Sequence, residues 1–277
     1  MAAVGKSEFT YTLGFDLASK PKTTGFCSIR WGGDGPLLSQ LCVGETAEGI
    51  ELHDKFISNG IKGLYGGFDD GPITKVGIDA PLGWPQPFVE AIAAYHAGDQ
   101  WPLPLDFPRA PFERRETDRF VKEQTGKTAL SVSTDRIAYP AMRAAVILSD
   151  LAAALGPDKV ARDGSGLTCE VYPAAALLIW APEQGGAGSE QGSYKKVGSI
   201  RVRLAEILKD GLGLSDPDGL LALCEESDDC LDALLSALVA RAVETDATLT
   251  PPSDQAHRLA LTEGWIHLPC GPLGALR

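Results

Sequence analysis

The chain has 277 residues, 44% of them hydrophobic, and carries 25 Lys plus Arg against 37 Asp plus Glu, a formal net charge of −12. That is enough apolar material for one large core or two small ones, and a field that disfavours any broad surface for a polyanion, leaving local basic patches for such a role. Six cysteines (Cys27, Cys42, Cys169, Cys224, Cys230 and Cys270) have no CxxC spacing, and His53, His96, His257 and His267 are scattered, so reduced thiols are expected and a zinc site is not.

In chain order, residues 9 to 17, 25 to 31 and Leu37 to Val43 read as three strands of an antiparallel meander. Ala47 to Ser58 reads as a helix, followed by the glycine-rich linker GLYGGFDDG. Thr74 to Asp79 is a short central strand whose Val76 and Ile78 suit a buried position. Phe88 to His96 is helical, and the prolines at 102, 104, 108 and 111 make 98 to 112 an ordered loop or lid. A helix over Phe112 to Lys122, a loop over 123 to 136 and a long apolar helix from Pro140 to Leu155 follow. Leu167 to Val171 is a strand, and AAALLIW begins a helix. Residues 181 to 193 form a flexible linker, two helices span about 198 to 209 and 229 to 243, and EGWIHLP is a small terminal strand. This order predicts a single α/β domain with a mixed sheet, flanking helices and a helical or loop insertion at about 98 to 136. No dinucleotide fingerprint or GxxxxGK[ST] loop occurs. No run approaches the roughly 20 residues of a membrane span and no signal-peptide core opens the chain, so the expectation is a cytoplasmic protein, away from membranes, with no obligate protein partner.

Acidic residues carry the chemistry. Asp16 in YTLGFDLA, Asp79 in KVGIDAPLG and Glu170 in CEVYPAA each end a short apolar run, where a carboxylate leaves the core and faces a crevice. Asp229 and Asp232 lie three apart on an alanine- and leucine-rich helix and so share a face. Gathered carboxylates raise one another's pKa unless a cation neutralises them, and hard oxygen donors select Mg²⁺ or Mn²⁺. Turn and helix caps are the competing use of such residues. The small residues Ala233, Ser236, Ala237 and Ala240 would let the last helix lie close on the sheet.

From GFDLA through GIDAPLG, RRETD, EVYPAA and YKK to DDCLDALLSALVAR and GWIHLP, the chain resembles the ribonuclease H-like superfamily. More closely, it resembles the family called domain of unknown function 429, whose members are predicted nucleases. The resemblance implies that Asp16 is the first-strand aspartate and Asp79 the second acid at the end of the central strand. By the same resemblance Asp229 and Asp232 match the acid pair opening the last helix of Holliday-junction resolvases, which usually carry glutamate where Asp79 stands. It implies a metal-dependent nuclease in which Asp16, Asp79, Asp229 and Asp232 hold Mg²⁺ or Mn²⁺. Glu170 and RRETD belong to the narrower family, so their roles are not carried over from characterised nucleases: Glu170 is a candidate to ligate the metal or to orient a basic side chain, and Arg115, Lys195 and Lys196 are the basic candidates to meet substrate. Nucleic acid would be held by the basic stretches Arg109 to Lys122 and Lys195 to Lys209. The same superfamily includes ATP-dependent phosphotransferases, though this chain has no clear glycine-rich ATP cradle, and a non-catalytic binding module is the third reading.

Overall fold

A computed structural model describes residues 9–65, 71–101, 108–185 and 193–277. Five strands form one mixed sheet: β1 (Thr10–Asp16), β2 (Gly25–Trp31), β3 (Leu37–Val43), β4 (Ile73–Asp79) and β5 (Thr168–Glu170), in the order β3-β2-β1-β4-β5. The first three are an antiparallel meander, whereas β4 pairs parallel with both β1 and β5. The helices are α1 (Asp54–Tyr65), α2 (Gln86–His96), α3 (Ala110–Glu113), α4 (Glu116–Thr125), α5 (Ala138–Leu155), α6 (Pro173–Trp180), α7 (Pro182–Gly185), α8 (Gly198–Leu212), α9 (Leu223–Glu226), α10 (Asp228–Glu244) and α11 (Asp254–Glu263). A mixed sheet flanked by helices is the expected α/β class, consistent with a ribonuclease H-like arrangement.

Alternation along the strands divides the sheet into two faces. Tyr11, Leu13 and Phe15 of β1 pack with Val76 and Ile78 of β4 against Ile57 and Ile61 of α1 and Ile147 and Leu151 of α5. The out-of-phase positions, Gly14 and Asp16 on β1 and Gly77 and Asp79 on β4, therefore face α10 on the other side. There α10 lies almost on the backbone. A methyl group at Gly14 would collide with the Ala233 carbonyl, one at Gly25 with the Asp229 carbonyl, and one at Gly77 with the Ser236 carbonyl. A side chain fastens the helix down as well: Trp31 donates its indole N–H to Thr12 Oγ1 at 2.9 Å, and Thr12 donates to the Ala237 carbonyl at 3.0 Å.

Several expectations are corrected. The first helix starts at Asp54 rather than Ala47, because Gly49 at φ 75° closes a turn in which Thr46 N–H bonds to the Ile50 carbonyl. The His53 ring then accepts from Phe56 N–H at 3.1 Å at the helix start. The helix expected over 112 to 122 is broken at Arg115, whose extended backbone begins α4 and whose N–H is bonded by the Asp118 carboxylate at 2.9 Å. EGWIHLP is not a strand: Ile266 makes an isolated bridge to Glu170 and Pro269 one to Thr248. Helix α11 was not expected; Ser253 caps it, accepting from Ala256 N–H at 3.2 Å. The expected linker begins with the turn α7, while residues 186–192, like 66–70 of the glycine-rich linker and 102–107 of the lid, lie outside the described residues. Helix α5, at 18 residues, is long and apolar enough to cross a membrane by length and composition only, a test that core helices meet as well. One of its faces packs on α1 in the core.

Candidate functional site

Asp16 and Asp79 are directly paired across the parallel β1–β4 ladder, at the carboxyl ends of both strands. The close seat of α10 on Gly14, Gly25 and Gly77 brings its first two turns to the same end of the sheet. Ser227 caps that helix by accepting from Asp229 N–H at 3.1 Å. The sequence thus places four carboxylates from three segments in one neighbourhood, and their electrostatics reports the crowding. Burial holds the Asp16 carboxyl well above the usual carboxylate range, reinforced by Asp232 and Asp79 and opposed by Lys195. Burial does the same for Asp79, again reinforced by Asp232. Asp229 is raised by burial and by Asp228, with Asp16, Lys195 and Ser227 pulling the other way. Asp232, 1% exposed, is raised by burial against the pull of Lys195.

Positive charge enters this cluster from the segment before α8. The Lys195 ammonium bonds directly to Asp232 Oδ2 and lies 3.2 Å from Asp228 Oδ2, while Tyr194 donates its hydroxyl to Asp232 Oδ1 at 3.0 Å. Arg201, buried in α8, fixes this segment by donating to the Tyr194 carbonyl at 2.8 Å and the Cys224 carbonyl at 2.7 Å. Lys196 is exposed and is not among the residues lining the cleft.

Glu170 and Arg115, both buried and both lining the cleft beside Asp79, form a second network. Arg115 Nη1 and Nη2 donate to the two Glu170 oxygens at 2.8 and 2.7 Å; Nε and Nη2 donate to Asp118 at 3.2 and 2.9 Å; Nη1 also reaches the Glu263 carbonyl at 3.1 Å. These contacts occupy every N–H of the guanidinium, so none is left for a substrate oxygen. Glu170 further accepts from Leu82 N–H at 2.9 Å, and burial raises its pKa in spite of Arg115. The pair joins β5, the start of α4 and the end of α11.

An open cleft of about 390 Å³ lies over these strand ends, lined by Asp16, Asp79 and Lys195 and, on other sides, by Lys127, Leu130 and Tyr172. Tyr172, Lys127 and Tyr194 were not anticipated. Tyr172 has a sequence signal, two residues beyond the strand-end Glu170, and burial with the Asp79 charge pushes its hydroxyl up to about 12. Arg143 was missed too, although it interrupts an apolar helix. It binds the Ala18 carbonyl at 2.6 Å, Thr24 Oγ1 at 2.7 Å and Asp54 at 2.7 Å, clamping the loop that follows Asp16.

The donors suit Mg²⁺ or Mn²⁺ in kind, being carboxylate oxygens that repel one another in a buried setting. Their present arrangement is closed around the Lys195 ammonium: among the described residues no three Asp, Glu, His or Cys side chains form a ready metal cage. Larger in volume, about 660 Å³, is a second cavity at the opposite end of β4 and β5, lined by Lys75 and His267. Lys75 there donates to the Gly164 carbonyl at 3.0 Å and to Gly166, holding that turn, which gives it a structural use away from the acids.

A mixed-sheet α/β protein with an acid-lined cleft at the ends of its parallel strands is the class these features define. A family model described as protein of unknown function (DUF429) matches residues 16–257, and the chain belongs to that family. No curated protein and no solved structure matches it.

Proposed function

We propose that the protein hydrolyses phosphodiester bonds of nucleic acid with a divalent cation, Mg²⁺ or Mn²⁺, held by Asp16, Asp79, Asp229 and Asp232. One observation carries this reading: carboxylates from β1, β4 and α10 crowd one end of the sheet beside an open cleft, at a cost in repulsion and desolvation that a bound cation would relieve. When bound, such a cation lowers the pKa of a water and steadies charge on the phosphate oxygens. Asp16 and Asp79, set on hydrogen-bonded strand ends, fix the positions of the donors. Tyr194 keeps Asp232 oriented, and Lys195, released from Asp232, is free to meet a phosphoryl oxygen. Hydrolysis forms one P–O bond from water and breaks one ester P–O bond, the leaving oxygen taking up a proton, so water alone is consumed.

Arg115 has no part in phosphate contact in this reading, and Glu170 acts by holding it. The basic stretches also contribute less than their composition promised: Arg115 and Arg201 are buried and internally bonded, and Arg119 pairs with Glu116 at 2.5 Å. The test is a Mn²⁺-supplemented panel of branched DNA, single-stranded DNA, RNA and RNA–DNA hybrid, run beside ATP with small acceptors. Cleavage of nucleic acid that disappears in D16N is expected. Acceptor-dependent ADP formation lost in D16N, or no Mn²⁺-dependent turnover by well-folded protein, would contradict the reading.

A further inference from the structure

At about 390 Å³ the cleft lies near the lower end of the roughly 300–1,000 Å³ typical of sites that enclose one small molecule. Its lining is of two kinds. Asp16, Asp79 and Lys195 are polar and lie at the strand ends, whereas Pro81, Leu130, Ile137, Pro140 and Tyr172 offer apolar surface. Leu130 is 56% exposed and precedes α5, so it stands open to an incoming group. Tyr172 is held in place as the residue before α6, with its backbone carbonyl accepting from Ala175 and Ala176 N–H.

The positive charge at the cleft is small. Among the described residues lining it, the cations are Lys127, Lys195 and Arg115, and the guanidinium of Arg115 is fully engaged inside the protein. A protein that tracks a duplex by its phosphates makes about 6–10 such contacts. Two lysines suit one or two phosphates. Inside a duplex, moreover, base faces are covered by their stacked neighbours, and exposing one requires flipping it out. An unpaired nucleotide has the matching halves without that cost: a flat base for Tyr172 and the aliphatic side chains, and a phosphodiester for the polar strand ends.

We infer that the cleft takes one unpaired nucleotide of a single strand, its base against Leu130 and Tyr172 and its phosphodiester over Asp16 and Asp79. This rests on the hydrolytic reading above and names its substrate class. DNA and RNA single strands share the chemistry, and both enter the test.

Binding of labelled single-stranded DNA, single-stranded RNA and the blunt duplexes of the same sequences is measured by fluorescence anisotropy in Ca²⁺ buffer across a salt series. Single strands should bind at least about tenfold tighter than duplex, with a log–log salt slope near −1.4, about 0.7 for each of two lysines. Tyr172→Ala should weaken single-strand binding by about 5- to 150-fold, the range for loss of one base stack. Leu130→Ala should weaken it in the same direction, and its exposed position guards against a mere loss of fold. Duplex binding equal to or tighter than single-strand binding, a slope steeper than about −4, failure of both substitutions to weaken binding, or no binding by folded protein would each overturn the inference. The hydrolytic reading fails separately: that requires wild-type protein with Mn²⁺ to leave every polymer in the turnover panel uncut.

Discussion

Arg115 and Lys195 are both cations bonded to buried carboxylates, and their surroundings give them different duties. Arg115 is 2% exposed and wholly enclosed by Glu170, Asp118 and the Glu263 carbonyl. Substituting Arg115→Met would leave two buried carboxylates without their cation, a loss of about 3–5 kcal/mol. Urea melts should show that loss. A change below about 1 kcal/mol would mean that water or a rearranged neighbour satisfies Glu170 and Asp118. Lys195 differs because its side chain is 42% exposed and lines the cleft, while Asp232 behind it is buried. Its ammonium neutralises Asp232 in the arrangement described, and the same place is needed by any metal ion that Asp232 is to bind. In the proposed reading, lysine and metal would compete for one oxygen.

At the scale of elements, the site exists because α10 can lie on the sheet. Gly77 faces Ser236 with no room for a methyl group, so Gly77→Ala should force the helix off β4 and destabilise the fold by about 3 kcal/mol, as overpacking does. Thermal melting checks this, and an unchanged melting temperature would show that the helix tolerates a shift. Much of this element-level design was legible in the sequence. The carboxylates at the ends of apolar runs, the small residues at 233, 236 and 237, and the i, i+3 spacing of Asp229 and Asp232 are local signals, and period 2 along β1 and β4 sets Asp16 and Asp79 on the same face as Gly14 and Gly77. What was not legible depends on partners distant in the chain. The break before α4 is made by Asp118 and Glu170 acting on Arg115, and a basic stretch such as RRETD gives no sign that its second arginine is interior. The closing GWIHLP has strand-like composition, yet its neighbours leave it only isolated bridges.

Across the whole molecule, titration ties the site to stability. Asp16 and Asp79 have raised pKa values when folded, so above the ordinary carboxylate range near pH 4 the folded chain holds protons that the unfolded chain has released. Stability of the metal-free protein from this cluster is present at low pH and is lost as pH rises through the raised values. His267 acts in the opposite sense. Burial lowers it from 6.5 to about 4, so its contribution is full above pH 6.5 and is lost as pH falls to about 4, a loss of about 3 kcal/mol. Urea melts in chelator from pH 4 to 9 should show D16N flattening the decline on the alkaline side and His267→Gln the decline on the acid side. Parallel curves for wild type and D16N would show that Asp16 is not crowded by its neighbours. The central claim, that carboxylates of β1, β4 and α10 form one cation site which Lys195 occupies in the metal's absence, is tested most directly by titrating Mn²⁺ with water-proton relaxation. Wild-type protein should bind Mn²⁺, D16N and D79N should lose that binding, and Lys195→Met should bind about tenfold more tightly than wild type, the effect of removing roughly 1.4 kcal/mol of competition. Mn²⁺ binding that is absent from wild type and K195M alike, or that is indifferent to D16N and D79N, would contradict it.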